Sequence, residues 1–220
     1  MTSSFRSLSR FLVTAIAGLG IAGAALAELS PEVIALQTRW AEIKYQTPEA
    51  EQEKAFATLV AQAATVSKAQ PNQPEPLIWE GIILSTYAGA KGGLGALGLV
   101  KQAREKFEAA LALDKHALAG SANTSLGSLY YQVPGWPIGF GDDDKAREHL
   151  QAGLADNPDG IDSNYFYADF LFDQGEYVAA AAAISKALQA PPRPGRELAD
   201  QGRRKEAELL QANIMKKLKK

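Results

Sequence analysis

One pattern of residues occurs twice in this chain at a fixed offset, and that duplication restricts its fold more than any other feature. Ala146, Leu150, Gly153 and Pro158 recur 34 residues later as Ala180, Ile184, Ala187 and Pro192. A period of this length, with small residues and one bulky apolar residue at these offsets, predicts a helix–turn–helix repeat. The reason is packing: small side chains let one helix approach its partner closely, and proline, lacking an amide proton and clashing with the preceding turn, ends it. Such a unit buries its apolar face only against neighbours, so units must stack.

The first copy also carries Leu126-Gly127-Ser128-Leu129-Tyr130, and the second carries Gly175-Glu176-Tyr177 at the turn between its helices. These residues resemble the tetratricopeptide repeat family, whose W-x2-L-G-x2-Y…A-x3-F…P pattern they largely match. Asn123 stands where that pattern has tryptophan. The resemblance implies an all-α fold: a right-handed α-solenoid of about three helix pairs, with an N-terminal helix pair and a C-terminal capping helix.

Before the repeats lies a different kind of segment. Arg6 and Arg10 precede an uncharged run from Phe11 to Ala27 that ends in Ala25-Leu26-Ala27, the order of parts in a secretory signal peptide. Residues 1–27 are therefore expected to be cleaved after Ala27, giving an exported, periplasmic protein that meets the membrane only through this segment before cleavage. Loss of the two arginines takes the formal net charge from −2 to −4. An uncleaved anchor is the alternative, although a run of 17 Gly- and Ala-rich residues is short for spanning a bilayer.

Composition narrows the function. The chain is 46% hydrophobic and 22% charged, which suits a globular domain rather than disorder. Its acidic balance offers no footprint for nucleic acid. With no cysteine, it has no disulfide, thiol nucleophile or thiolate metal site.

In order, residues 28–71 read as a helix pair. Ser30-Pro31-Glu32 and Thr47-Pro48-Glu49 are start signals, with Leu36, Trp40, Ile43, Phe56, Leu59, Val60 and Ala63 on the buried stripes. Residues 74–117 form repeat one, opening on Leu77, Trp79 and Gly81 and continuing with Ala103, Phe107 and Ala110 to a stop at Asp114. Gly81 and Ala103 are 22 residues apart where the family has about 12, so Gly89–Gly98 is expected to be an extended turn. Repeat two (120–160) gains the Pro- and Gly-rich loop Val133–Gly141, which cannot be helical. Repeat three is 161–194, and 195–220 is the cap, with Leu198, Leu209, Leu210 and Ile214 apolar and Lys216, Lys217, Lys219 and Lys220 at its end.

No catalytic constellation emerges. The glycine-rich segment lacks the Gly-Lys-Ser/Thr order of a phosphate loop. Asp142-Asp143-Asp144 precedes a helix, where carboxylates cap it and complement its dipole. His116 and His149 lie outside any metal-ligand pair and read as surface residues. No metal, cofactor or enzymatic role is expected.

The better candidates follow from the resemblance, which implies that inward positions of each first helix line a groove for a partner. Those are Ser121, Thr124, Ser128, Tyr131 and Gln132 in repeat two and Asp162, Tyr165, Asp169, Phe172 and Asp173 in repeat three, with Ile78 and Ile82 in repeat one. This set is aromatic and acidic with few cations, which disfavours clamping a peptide carboxylate and suits an extended peptide or a compact apolar ligand. The competing reading makes Tyr165, Tyr167 and Phe172 inter-repeat core. Trp136 and Phe140 in the inserted loop either pack onto their own repeat or form a lid.

The expected role is a non-catalytic periplasmic adaptor holding a protein or peptide partner. The alternative is a ligand-binding accessory component of a solute transport system. The Leu-Gly-x2-Tyr…Pro-Gly…Lys-Ala segment is similar to the T component of tripartite ATP-independent periplasmic transporters. A closed apolar pocket beneath Trp136 would favour the second role, and an open groove the first. No feature of the sequence sets an oligomeric state.

Overall fold

A computed structural model describes residues 29–219. The expected signal peptide and its cleavage after Ala27 lie outside the described residues. Nine helices form within them: α1 (Pro31–Gln46), α2 (Glu49–Ala69), α3 (Pro74–Lys91), α4 (Gly93–Leu113), α5 (Ala117–Gln132), α6 (Asp143–Asp156), α7 (Ile161–Asp173), α8 (Tyr177–Gln189) and α9 (Glu197–Leu218). The all-α fold of stacked helix pairs is the one the repeat predicts.

Most boundaries have local causes. The Ser30 hydroxyl accepts a hydrogen bond from the Val33 amide, and Pro31 occupies the first helical position, where its missing amide proton costs nothing. Asp142 caps α6 through the Lys145 amide at 3.1 Å, the role expected of the acidic triplet. At α2 the expected cap is absent: Pro48 is the N-cap, and the Thr47 hydroxyl turns back to the Glu42 carbonyl.

Two segments differ from expectation. Gly89–Gly98 is not an extended turn. Only Gly92, at φ 64°, breaks the chain there, and the extra residues lengthen both helices, α3 to 18 residues and α4 to 21. Each isolated glycine costs a helix about 1 kcal/mol, and the burial of Ala88 and Val100 on the flanking turns offsets that cost. The start of α5 also departs from simple helix, because Leu118, Ala119 and Gly120 are left-handed at φ 50°, 51° and 73°. Regular helix therefore begins at Ser121, whose hydroxyl donates to the Leu118 carbonyl at 2.6 Å.

The small residues do what the pattern requires. A Cβ on Gly127 would sit 2.7 Å from Leu150 and 3.0 Å from the Ala146 carbonyl, and Gly153 abuts Thr124 with no room for a side chain. In repeat one Gly81 packs on the Phe107 ring in the same way. Ala146, Leu150, Ala180, Ile184 and Ala187 are all fully buried, whereas Pro158 and Pro192 lie exposed in the connections. Buried Glu80 ties three helices, accepting from Ser67 of α2 and pairing with Lys106 of α4 at 2.9 Å.

The stack curves until it meets itself. Each odd-numbered helix packs on the next in the series α1, α3, α5, α7 and α9, and α9 packs in turn on α1, so the five form a closed ring. The even-numbered helices lie behind them, each bridging to the following odd helix. The seam closes because Gly202 of α9 leaves space for the Tyr45 ring, while the Tyr45 hydroxyl and Lys44 reach Glu206 at 3.5 and 3.8 Å. Thus α9 caps repeat three through Leu210 and Ile214 and also joins the two ends of the molecule. Leu209, expected on the apolar face, is 69% exposed because the opposite side of α9 meets the ring.

Candidate functional site

The ring surrounds a cavity of about 1300 Å³, half open to solvent and lined by the inward faces of the odd-numbered helices, the start of α4 and the loop after α5. It exceeds the ~300–1,000 Å³ of an ordinary small-molecule pocket. The hairpin topology makes the ring helices run the same way, so their N-terminal ends lie together at one end of the cavity.

Eight of the twelve expected groove positions line it: Ile82, Ser121, Thr124, Ser128, Gln132, Asp162, Tyr165 and Asp169. Thr124 is nevertheless mainly a packing residue, held against Gly153. Tyr131 stands behind the wall, and its hydroxyl donates to Asp169 Oδ2 at 2.7 Å while accepting from the Gln132 amide at 3.0 Å. Burial and the Asp169 charge push the Tyr131 phenol well up, and burial raises the Asp169 carboxyl against the opposing pull of this hydrogen bond. Phe172 packs on Tyr177 at 5.6 Å, Asp173 is exposed, and Ile78 is core, so these three lie outside the cavity.

The inserted loop divides. Val133, Pro134 and Ile138 line the cavity, while Trp136 is 89% exposed and points away from it. Phe140 packs edge-on to Tyr130 at 5.7 Å and lies under the Arg104 guanidinium. Trp136 thus lines no part of this cavity, and of the loop's two large aromatics only Phe140 folds back onto the helices.

The expected scarcity of cations is overturned. Those positions themselves hold none, but the segment before α9 and α9 itself bring Arg193, Arg196 and Arg203 to the cavity wall. Asp162 receives Arg193 Nη1 at 2.7 Å and Arg203 Nε at 2.8 Å. Burial alone would raise its carboxyl, but the two guanidiniums outweigh that and hold it well below the usual carboxylate range. Arg193 also pairs with buried Asp200 at 2.6 Å, and Arg203 with Glu206 at 2.6 Å. Arg203 lies 4.4 Å over the Tyr165 ring, a phenol that burial pushes up to about 12. Sequence reading missed these arginines because no motif contains them. The available signal was Arg196 and Arg203, seven apart and so on one helix face, beside acidic inward positions that require counter-charge.

Trp40, expected on a buried stripe, and Trp79, at the opening of repeat one, also border the cavity, packed edge-to-face at 6.0 Å, with the Trp40 indole donating to Thr86 Oγ1 at 2.9 Å. The histidines lie elsewhere. His116 meets Asp156 at 2.8 Å on the surface, as expected of a surface residue. His149 is not such a residue: its ring stacks on Tyr130 at 5.6 Å, Nδ1 meets Asn123 Oδ1, and burial lowers its pKa. Asn123 thus fills its non-consensus position by holding this imidazole. Among the described residues no helix is long and apolar enough to cross a membrane.

No protein-family model matches the chain, and no curated protein matches it in sequence. Among solved structures, the crystal structure of MamA is similar at 21% identity, covering 77% of this chain and 92% of that chain with a TM-score of 0.44. A likeness of that size speaks to neither site nor function.

Proposed function

We propose that this chain is a non-catalytic helical-repeat binding protein, exported to the periplasm, that holds its ligand inside the ring and works as an adaptor for a protein partner. The observation that carries this reading is the seam between α9 and α1, which turns an inward-facing surface into a half-open cavity surrounded by five helices. Binding rather than chemistry fits the wall: its carboxylates Asp162 and Asp169 are engaged in clusters with neighbouring side chains instead of converging on a reacting atom. Export rests on the basic, apolar, Ala-Leu-Ala order of residues 1–27.

The half-open cavity admits a compact ligand or a peptide segment. The alternative is an accessory role in solute transport, similar to a T component of tripartite ATP-independent periplasmic transporters. The partner protein then meets the outside, where the exposed Trp136 stands beside the cavity entrance formed by Pro134 and Ile138.

Native mass spectrometry of the protein purified from the periplasm tests the cavity. Ser125, on the wall, replaced by Trp should remove any retained ligand, while Val178→Glu on the exposed face of α8 should keep it. Identical ligand content in both variants would place the ligand elsewhere, and an empty wild type would count against a binding role.

A further inference from the structure

We propose that the cavity recognises a singly charged amphipathic anion, a monocarboxylate with an apolar tail, through the Arg196 guanidinium. This rests on the cavity being the binding site, and it adds the class of ligand.

At the N-terminal end of α9, Arg193 and Arg203 pair with Asp162, Asp200 and Glu206, and Lys44 reaches Glu206 from the last turn of α1, so all three carboxylates are used. Arg196 is left over: among the described residues its guanidinium has no hydrogen-bond or ion-pair partner, and it lies on the Trp79 ring at 4.9 Å. Burial and the neighbouring Arg193 charge both weaken its hold on its proton, which marks a cation in an unfavourable setting. An unpaired guanidinium taken partly out of water is costly, and an anion within reach recovers that cost through charge-assisted hydrogen bonds. The ring helices add to this, since their N-terminal ends carry positive partial charge. One unpaired guanidinium calls for one anionic group, and a planar carboxylate matches its fork.

The other two carboxylates on the wall stand apart from this end. Asp169 is two turns beyond Asp162 along α7, about 10 Å at 1.5 Å per residue, and is occupied by Tyr131. Glu49 begins α2, at the far end, just past the last turn of α1 that carries Lys44.

The tail is argued from that far end. Leu94, Leu97, Val100, Leu129, Val133 and Ile138 line it. Leu94 is 86% exposed and Ile138 61% exposed although both border the cavity, so apolar side chains are held in water at its entrance. From Trp79 to Lys91 the wall runs 12 residues of α3, about 18 Å, which separates the cationic end from the apolar one by the length of an extended aliphatic chain.

Fluorescence titration of the mature chain tests this, with Trp136→Phe removing the exposed indole so that Trp40 and Trp79 report from the wall. The probes are decanoate and 1-decanol. Decanoate should bind at least about tenfold tighter, the value of a hydrogen bond to a charged group. Arg196→Gln should erase that preference without weakening decanol binding, and Arg196→Lys should retain part of it. Equal affinity of the two probes, a preference that survives Arg196→Gln, or no binding of either probe would overturn the proposal. Ser125→Trp separates the two readings. If it leaves decanoate binding intact, the cavity is not the site; if it blocks both probes but the wild type shows no preference for the acid, only the anion assignment fails.

Discussion

His149 shows how a single residue joins repeat architecture to pH. Its imidazole lies flat on Tyr130 and meets Asn123, so the folded protein keeps it neutral by burial, with Glu148 and Glu108 pulling the other way and Lys145 reinforcing. An unfolded histidine titrates near pH ~6.5. Because the folded value is lower, the unfolded state binds the proton first. The stabilisation is complete above that pH and is lost as pH falls from it towards the lower folded value. Urea midpoints should therefore drop between pH 7.5 and 5.5 in the wild type, and drop less in His149→Gln. An equal drop in both would mean that other groups carry the dependence. The residues legible from sequence at this scale are those with one local job, such as Ser30 and Asp142 at helix starts. His149 is not among them, because its partners come from a helix 19 and 26 residues earlier.

At the level of the helix, the glycine-rich junction of α3 and α4 is the clearest case of sequence suggesting one state and packing choosing another. Glycine weakens a helix through backbone entropy, so a run holding five of them between Gly89 and Gly98 points to an extended segment. Gly92 and Gly93 do have positive φ, and they alone mark the turn. Gly89 and Gly98 sit inside helices, and a Cβ at either position would meet nothing within 4 Å. Gly89→Ala and Gly98→Ala should each raise stability by about 0.5–1 kcal/mol, read from thermal or urea unfolding. An extended turn would gain less from alanine, and Gly92→Ala should destabilise because its φ of 64° suits glycine. The interior of each repeat was far more legible: Gly127, Ala146, Leu150, Gly153, Ala180, Ile184 and Ala187 all occupy contacts of the kind their spacing implies.

For the whole molecule, closure changes how the chain should unfold. In an open stack each repeat meets only its neighbours, and the ends fray first. Here α9 packs on α1, α7 and α8, which couples the first helix to the last. Wild-type unfolding should be a single transition seen alike by far-UV circular dichroism and by the fluorescence of Trp40 and Trp79. Gly202→Leu would drive a side chain into the Tyr45 ring and open the seam. Its CD and fluorescence transitions should separate, at a cost of about 1–3 kcal/mol from overpacking. Coincident transitions in that variant would mean that the seam does not carry the cooperativity.

The amino-acid order determined the helix pairs, because a 34-residue spacing of small and bulky residues is a statement about close approach between helices adjacent in sequence, and such contacts need only short-range information. Its resemblance to the tetratricopeptide repeat family also marked Ser128, Asp162, Tyr165 and Asp169 as inward-facing. The tertiary structure alone decided that the groove is a cavity ringed by five helices and that its charge is set by Arg193, Arg196 and Arg203. Those arginines lie 31 to 41 residues from Asp162, and their meeting depends on the accumulated curvature of every preceding pair bringing α9 back to α1. Curvature is a sum of small packing angles, and no local pattern of residues records a sum.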